Sequence, residues 1–309
     1  MSADRPSEIP VLLIIFNRPG MTAEVLRALQ TSRPTRLLVA ADGPRADRPG
    51  DIALCDETRR LIESMVNWPC EVTRNYSLSN LGCDHRPASA IEWALEQHEE
   101  IIVLEDDCVP HPDFFRFVAA MLERYRDDDR VMLISGINVL KGRRTLPYSY
   151  AFSRYYLTWG WATWRRSWKR YDFAIKKWPE IRDAGLLWDL LGDKREVEYW
   201  TKAFEDVWHH KIDAWDFQLH LAMWLHQAYA IYPASNLITN IGVEGTHYSV
   251  ALPTQNIATT ELPFPLHHPP AIYRDIRADE LIRSTWYLPP LGEQFRRKAR
   301  RAIKRLRRS

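Results

Sequence analysis

Five short β-rich apolar runs punctuate the first 135 residues: Val11 to Phe16, Leu37 to Ala41, Cys70 to Tyr76, Ile101 to Leu104 and Val131 to Ile134. Between them lie segments of helical periodicity. Met21 to Gln30 sets Val25, Leu26 and Leu29 on one face, and Ala88 to Gln97 does the same with Ile91, Ala94 and Leu95; apolar residues spaced three and four apart bury one side of a helix. Strand, helix, strand in repetition predicts an α/β fold: βαβ units around a mostly parallel sheet with flanking helices. Such sheets bind ligands outside the carboxyl ends of their strands. The residues directly after the runs therefore become site candidates: Asn17-Arg18-Pro19, Asp42-Gly43-Pro44 and Glu105-Asp106-Asp107.

From about Tyr148 the composition changes. Ten of the 13 tryptophans fall between Trp159 and Trp224, which predicts an aromatic-rich lobe closing over the first half. Within it Phe217, Leu221, Trp224 and Leu225 predict a helix from about Trp215 to Gln227. Tyr229 to Pro233 reads as a strand, and Asn236 to Tyr248 as a glycine-containing loop. Seven prolines between Pro253 and Pro290 then predict a segment that wraps the surface. The expected organisation is one domain in two halves, residues 1–147 and 148–250, followed by a proline-rich wrap and basic tail over 251–309.

At 309 residues, with 46% apolar and 27% charged side chains, the chain has a globular composition and not that of a disordered or fibrous protein. Its longest apolar stretch near the N-terminus, Val11 to Phe16, falls far short of the ~20 residues of a spanning helix. Met1-Ser2-Ala3-Asp4 lacks the basic region of a signal peptide. The expected location is the cytoplasm, where thiols stay reduced. Cys55, Cys70, Cys83 and Cys108 show no C-x-x-C spacing and are expected to be neither bridged nor zinc-bound. The formal charge of +2 hides an asymmetry: residues 293–309 carry nine basic side chains against Glu293, a net +8, which leaves −6 for the remainder. Phe295, Ala299, Ala302, Ile303 and Leu306 add a thin apolar stripe. A basic amphipathic helix of that kind suits the anionic inner face of a plasma membrane, the alternative being a solvated terminus. No nucleic acid is expected, because no stacking aromatics are interleaved with the cations.

Three consecutive carboxylates after a buried strand repel one another, and a hard divalent cation such as Mn²⁺ or Mg²⁺ relieves that cost. The alternative is an acidic turn favouring the N-terminus of the helix that begins at Pro112 and Asp113. The longer phrase from Ile101 through Glu105-Asp106-Asp107 to Phe115 resembles the Glu-Asp-Asp segment of GT-A nucleotide-sugar glycosyltransferases, of the N-acetylglucosaminyltransferase I and bacterial family 2-like types. That resemblance implies a GT-A, Rossmann-like fold whose first half binds the nucleotide-sugar and whose second half binds the acceptor. It implies Asp107 as principal metal ligand, with Asp106 and Glu105 orienting the ribose and metal waters. Phe16-Asn17-Arg18-Pro19 is similar to the family's first-strand segment, so Phe16 and Arg18 are expected to cradle the nucleoside. Asp42 would accept from a uracil N–H, although Asp42-Gly43-Pro44 is also an ordinary turn. Gly82 and Arg86 would approach the nucleotide. Trp159-Gly160-Trp161 resembles the segment lining the sugar and acceptor pocket, which assigns Trp159 and Trp161 to it; tryptophan clusters are also core. Asp216, in Trp215-Asp216 at a helix start, is the expected catalytic base, with Asp213 as fallback. The loop Asn240 to His247 would cover the diphosphate, with His247 facing it.

The resemblance thus implies a metal-dependent hexosyltransferase using a UDP-sugar, and direct in-line attack would make it inverting. The basic tail places it at the inner membrane face, where a glycan or lipid-linked acceptor of cell-envelope polysaccharide synthesis is expected. Three other readings compete. His209, Asp213, Asp216 and His220 recur at helical spacing and could form a metal-hydrolase face, but that leaves the acidic triplet without work. A sugar nucleotidyltransferase would need a glycine-rich basic loop after the first strand, which Asn17-Arg18-Pro19-Gly20 is not. A non-catalytic, membrane-associated carbohydrate-binding protein would not need Asp216 together with a metal triad.

Overall fold

The computed structural model describes residues 8–140, 142–242 and 257–288. Strand and helix alternate first as β1 (Val11–Ile15), α1 (Pro19–Ser32), β2 (Arg36–Ala41), α2 (Gly50–Met65), β3 (Glu71–Tyr76), α3 (Gly82–Gln97) and β4 (Glu100–Glu105). A short β5 (Cys108–Pro110) leads into α4 (Pro112–Arg124), β6 (Val131–Ser135), β7 (Tyr150–Ser153) and β8 (Trp161–Trp164). Helices α5 (Arg165–Trp168), α6 (Trp178–Asp183), α7 (Leu186–Leu191), α8 (Lys194–Trp208) and α9 (Asp216–Leu225) follow. The chain then forms β9 (Tyr229–Pro233), β10 (Ile238–Asn240), α10 (Ile276–Ile282) and a π-helical turn over Arg283–Tyr287.

Eight strands form one sheet in the order β3-β2-β1-β4-β8-β6-β9-β7. The first four run parallel, as do β6 and β9, while β8 lies antiparallel to both of its neighbours and β7 antiparallel to β9. The fold is therefore α/β with a mostly parallel sheet, as the alternating runs predict. Strand β1 is apolar throughout and β2 from Leu37 onward because both of their faces are covered. Leu12 and Ile14 face a core that includes α3 and the tryptophans of α8 and α9, whereas Val11, Leu13 and Ile15 face α1 and α4. The edge strand β3 is only partly buried and carries Glu71 and Arg74, as suits an edge.

Helix α2 has no counterpart in the predicted pattern. Its inward positions are Asp51, Cys55, Thr58 and Ile62, a helical stripe made largely of polar residues and so invisible to an apolar-period search. Helix α3 starts six residues before the predicted Ala88, its first turns carrying Gly82 and Pro87. Asp216, not Trp215, is the first residue of α9. All four cysteines are free thiols, with Cys55 and Cys108 buried. Among the described residues no helix is long and apolar enough to cross a membrane. His247 and the basic stretch 293–309 lie outside the described residues.

Candidate active site

Adjacent parallel strands β1 and β4 end side by side, with Ile14 opposite Glu105. The segments leaving them must therefore meet. Helix α1 starts at Pro19, whose fixed φ suits a first helical position, and Arg18 just before it reaches the acidic triplet. Its Nε donates to Asp106 Oδ2 at 3.1 Å, Nη2 to Asp106 Oδ1, and Nη1 to Asp107 Oδ2 at 2.9 Å. The Phe16 backbone N–H donates to Asp106 Oδ2 at 3.4 Å. Asp106 is 2% exposed, so its carboxylate is spent inside the protein. Burial still pushes its pKa up, against the pull of Arg18. Burial also opposes the Arg18 cation, but Asp106 and Asp107 outweigh it and raise the Arg18 pKa.

Asp107 is held from the opposite side. Strand β10 pairs antiparallel with β5, setting Asn240 against Cys108. Asn240 Nδ2 donates to Asp107 Oδ1 at 3.1 Å, and Asn240 Oδ1 accepts the Gly242 N–H at 3.0 Å. A Cβ on Gly242 would overlap Asp107 Oδ2 and stand 3.1 Å from Asn240 Oδ1, so only glycine fits there. Glu105, half-buried, accepts no hydrogen bond among the described residues. Its pKa is pushed up to about 8, first by burial and then by Asp107; Arg18 pulls it down, and Asp106 and Asp216 push it further up. The Asp216 carboxylate thus lies within electrostatic reach of Glu105.

Asp216 sits where two tyrosine hydroxyls fix the backbone: Tyr156 donates to Asp216 O at 2.5 Å and Tyr171 to Trp215 O at 3.0 Å. Trp161 is fully buried in β8 and stacks on Trp215, with ring centroids 5.9 Å apart. No indole face of Trp161 is open in this structure, and the ring supports the residue before Asp216. Trp159 is half-buried and meets Trp286 edge-on at 5.3 Å.

Asp42 is also spoken for. Its Oδ1 accepts the N–H groups of Gly43 and Leu81, each at 2.8 Å. Its Oδ2 accepts Gly82 N–H at 3.1 Å and Asn80 Nδ2 at 2.9 Å. Four donors fill the roughly four acceptor sites of a carboxylate, leaving none for a base N–H. Gly82 itself has φ +86°, the left-handed region that glycine adopts without strain. Arg86 is 4% exposed, and its guanidinium holds Asn75 O and Oδ1 at the end of β3. It braces a strand end and is closed to a nucleotide in this structure. Burial lowers its pKa, with Asp42 partly restoring it.

Asn240 and Arg45 stand out only in the structure. Arg45 clamps buried Asp51 through Nε at 2.6 Å and Nη2 at 3.0 Å, and its guanidinium carbon lies 5.3 Å from the Phe16 ring centroid. The proposed hydrolase face does not assemble. His220 is 3% exposed and stacked on Tyr156 at 4.1 Å, while exposed His209 pairs with Glu205. Among the described residues no three His, Cys, Asp or Glu side chains gather as a metal site.

No family model matches the chain, and no curated protein does. Several solved structures resemble it. A mannosyltransferase from Pyrobaculum calidifontis in complex with GDP-Man and Mn²⁺ is 16% identical over 53% of this chain and 46% of that one, with a TM-score of 0.36. The inositol-1-phosphate CTP transferase from T. maritima is 8% identical over 53% of this chain and 74% of that one, TM-score 0.31. An apo UDP-glucose pyrophosphorylase is 10% identical over 72% and 90%, TM-score 0.33. The match thus spans about half the length of the mannosyltransferase. These likenesses assign no activity to the chain.

Proposed function

We propose that the chain is a glycosyltransferase that moves a sugar, with inversion, from a UDP-sugar to a hydroxyl of a glycan or lipid-linked acceptor. The observation that carries the reading is the acidic turn Glu105–Asp107 at the carboxyl end of a parallel strand, held by Arg18 from the segment after β1 and by Asn240 from β10. Such strand ends are where open α/β sheets bind ligands. The immediate start of α1 at Pro19 leaves no glycine-rich loop after β1, which disfavours the nucleotidyltransferase reading.

The donor set fits a divalent ion in part. Asp107 has one donor on Oδ2, and Oδ1 meets Asn240 and the Cys108 thiol, while Glu105 has none among the described residues. One or two carboxylates, with phosphates and water, suffice for Mg²⁺-type ions. Asp107 and Glu105 are therefore the proposed ligands. Asp106, taken up by Arg18, is withdrawn from that role. A divalent ion held there would neutralise charge on the departing diphosphate. Asp216 accepts the proton of the acceptor hydroxyl as its oxygen bonds to the anomeric carbon and the bond to the nucleoside diphosphate breaks. Attack from the side opposite the leaving group inverts that carbon. Residues 293–309 are proposed to hold the protein on an anionic membrane; equal flotation with liposomes before and after truncation at Glu293 refutes that part.

The test is calorimetric titration of UDP, with and without Mn²⁺, into the wild type, Asp107→Ala and Asp107→Asn, beside an assay of UDP-sugar hydrolysis. The expected result is Mn²⁺-dependent UDP binding that both substitutions abolish. Silence towards UDP, GDP and CDP under every metal overturns the reading in favour of a binding protein.

A further inference from the structure

We propose that a cleft between the first turn of α3, the loop preceding α6 and the C-terminal end of α8 binds one neutral sugar ring of the acceptor. The inference rests on the glycosyltransferase reading and extends it to a second subsite. The cleft measures about 220 Å³, below the ~300–1,000 Å³ of sites for drug-sized ligands. That is room for one ring. Half-buried Phe173 and Trp208 form apolar wall, and Asp84, Lys176 and His210 supply polar groups. A pyranose presents the matching surfaces: an apolar C–H face for an aromatic ring and a rim of hydroxyls that both donate and accept. Asp84 opposes Lys176 in sign, so the cleft lacks the clustered positive charge by which proteins recognise phosphate.

The cleft is also built rather than incidental. Gln218, 2% exposed, donates Nε2 to Ala214 O at 2.6 Å and to Phe173 O at 3.3 Å, tying two walls together. Its Oε1, fully buried, has no partner among the described residues. His85 packs on Phe173 with centroids 4.4 Å apart, and Cys83 Sγ meets Asp213 O at 3.7 Å, joining α3 to the segment that carries Asp216. Ala214 and Gln218 flank Asp216 in sequence. Asp84 and Asp216 both act on the Tyr171 hydroxyl, whose pKa is raised first by burial and then by these two charges. The cleft therefore adjoins the segment that carries Asp216, so a ring held there can belong to the acceptor proposed to meet it.

The experiment is saturation-transfer NMR on the full chain with methyl glucoside, methyl galactoside and methyl mannoside at millimolar concentration, and inorganic phosphate as the charged control. Wild type, Trp208→Ala and Trp208→Leu are compared, the last keeping apolar volume while removing the flat face. Expected is a signal from at least one glycoside, weakened about tenfold in both variants, with donor hydrolysis by the variants within about twofold of wild type. No glycoside signal in the wild type, a signal from phosphate alone, or equal glycoside binding by wild type and Trp208→Leu overturns the proposal. If glycosides bind as expected while the wild type neither binds nor hydrolyses any nucleotide-sugar, the glycosyltransferase reading falls and the sugar cleft stands.

Discussion

Removing the Arg18 guanidinium isolates the electrostatics on which the acidic turn rests. In Arg18→Met the 2%-exposed Asp106 loses its guanidinium hydrogen bonds and keeps only the 3.4 Å bond from Phe16 N–H. Breaking a buried ion pair from one side costs ~3–5 kcal/mol. The Arg18 side chain is 28% exposed, so water already shares in the pair and the lower end applies, about 3 kcal/mol. In a chain of this length that lowers Tm by roughly 5 °C. The pH dependence has a definite sign. Burial already lifts the folded-state pKa of Asp106 against the pull of Arg18. Without that pull it rises further, so the variant binds its proton to higher pH and its deficit grows as pH rises through the interval between the two folded-state values. The deficit of Arg18→Met is therefore larger at pH 7 than at pH 5. Adding Asp106→Asn removes the stranded charge and recovers most of the loss. Urea unfolding followed by tryptophan fluorescence at both pH values measures all of this. A deficit under about 0.5 kcal/mol at pH 7, or one that does not shrink at pH 5, refutes the assignment of Arg18 as the counter-ion of the turn.

Burial holds His220 neutral, with its pKa near 3; the unfolded state binds the extra proton, so stability is full above about pH 6.5 and is lost towards pH 3 at up to ~1.4 kcal/mol per pH unit. His220→Gln should flatten that slope in urea titrations between pH 7 and 5, and parallel slopes would sink the claim. Gly242→Ala pushes a methyl into the Asp107 carboxylate and should weaken Mn²⁺-dependent UDP binding about tenfold or more by calorimetry, with the far-ultraviolet circular dichroism unchanged. Asp42→Ala strands three backbone N–H groups and should cost about 3 kcal/mol of unfolding free energy. A stable Asp42→Ala protein that has merely lost affinity for uridine would make Asp42 a base reader instead.

The parallel half was legible in the sequence because a strand buried on both faces must be apolar where it is buried, as β1, residues 37–41 of β2 and residues 101–104 of β4 are. The two segments that meet at the candidate site, Asn17-Arg18-Pro19 and Glu105-Asp106-Asp107, stand at the ends of such runs. What stayed hidden depends on contacts across the chain: Asp42 is filled from residues 80 to 82, and Asp107 is held by Asn240. Trp161 stayed hidden for a different reason. A tryptophan that packs and one that binds sugar read alike until the strand order makes β8 an interior strand. The pairing of Arg18 with the triplet lies between these cases. Once β1 and β4 are neighbours with Ile14 beside Glu105, any cation a few residues past β1 stands beside carboxylates just past β4, and a long side chain can bridge the gap. One adjacency therefore turns two separate motifs into a single electrostatic unit, in which Arg18 takes both oxygens of Asp106 and one oxygen of Asp107.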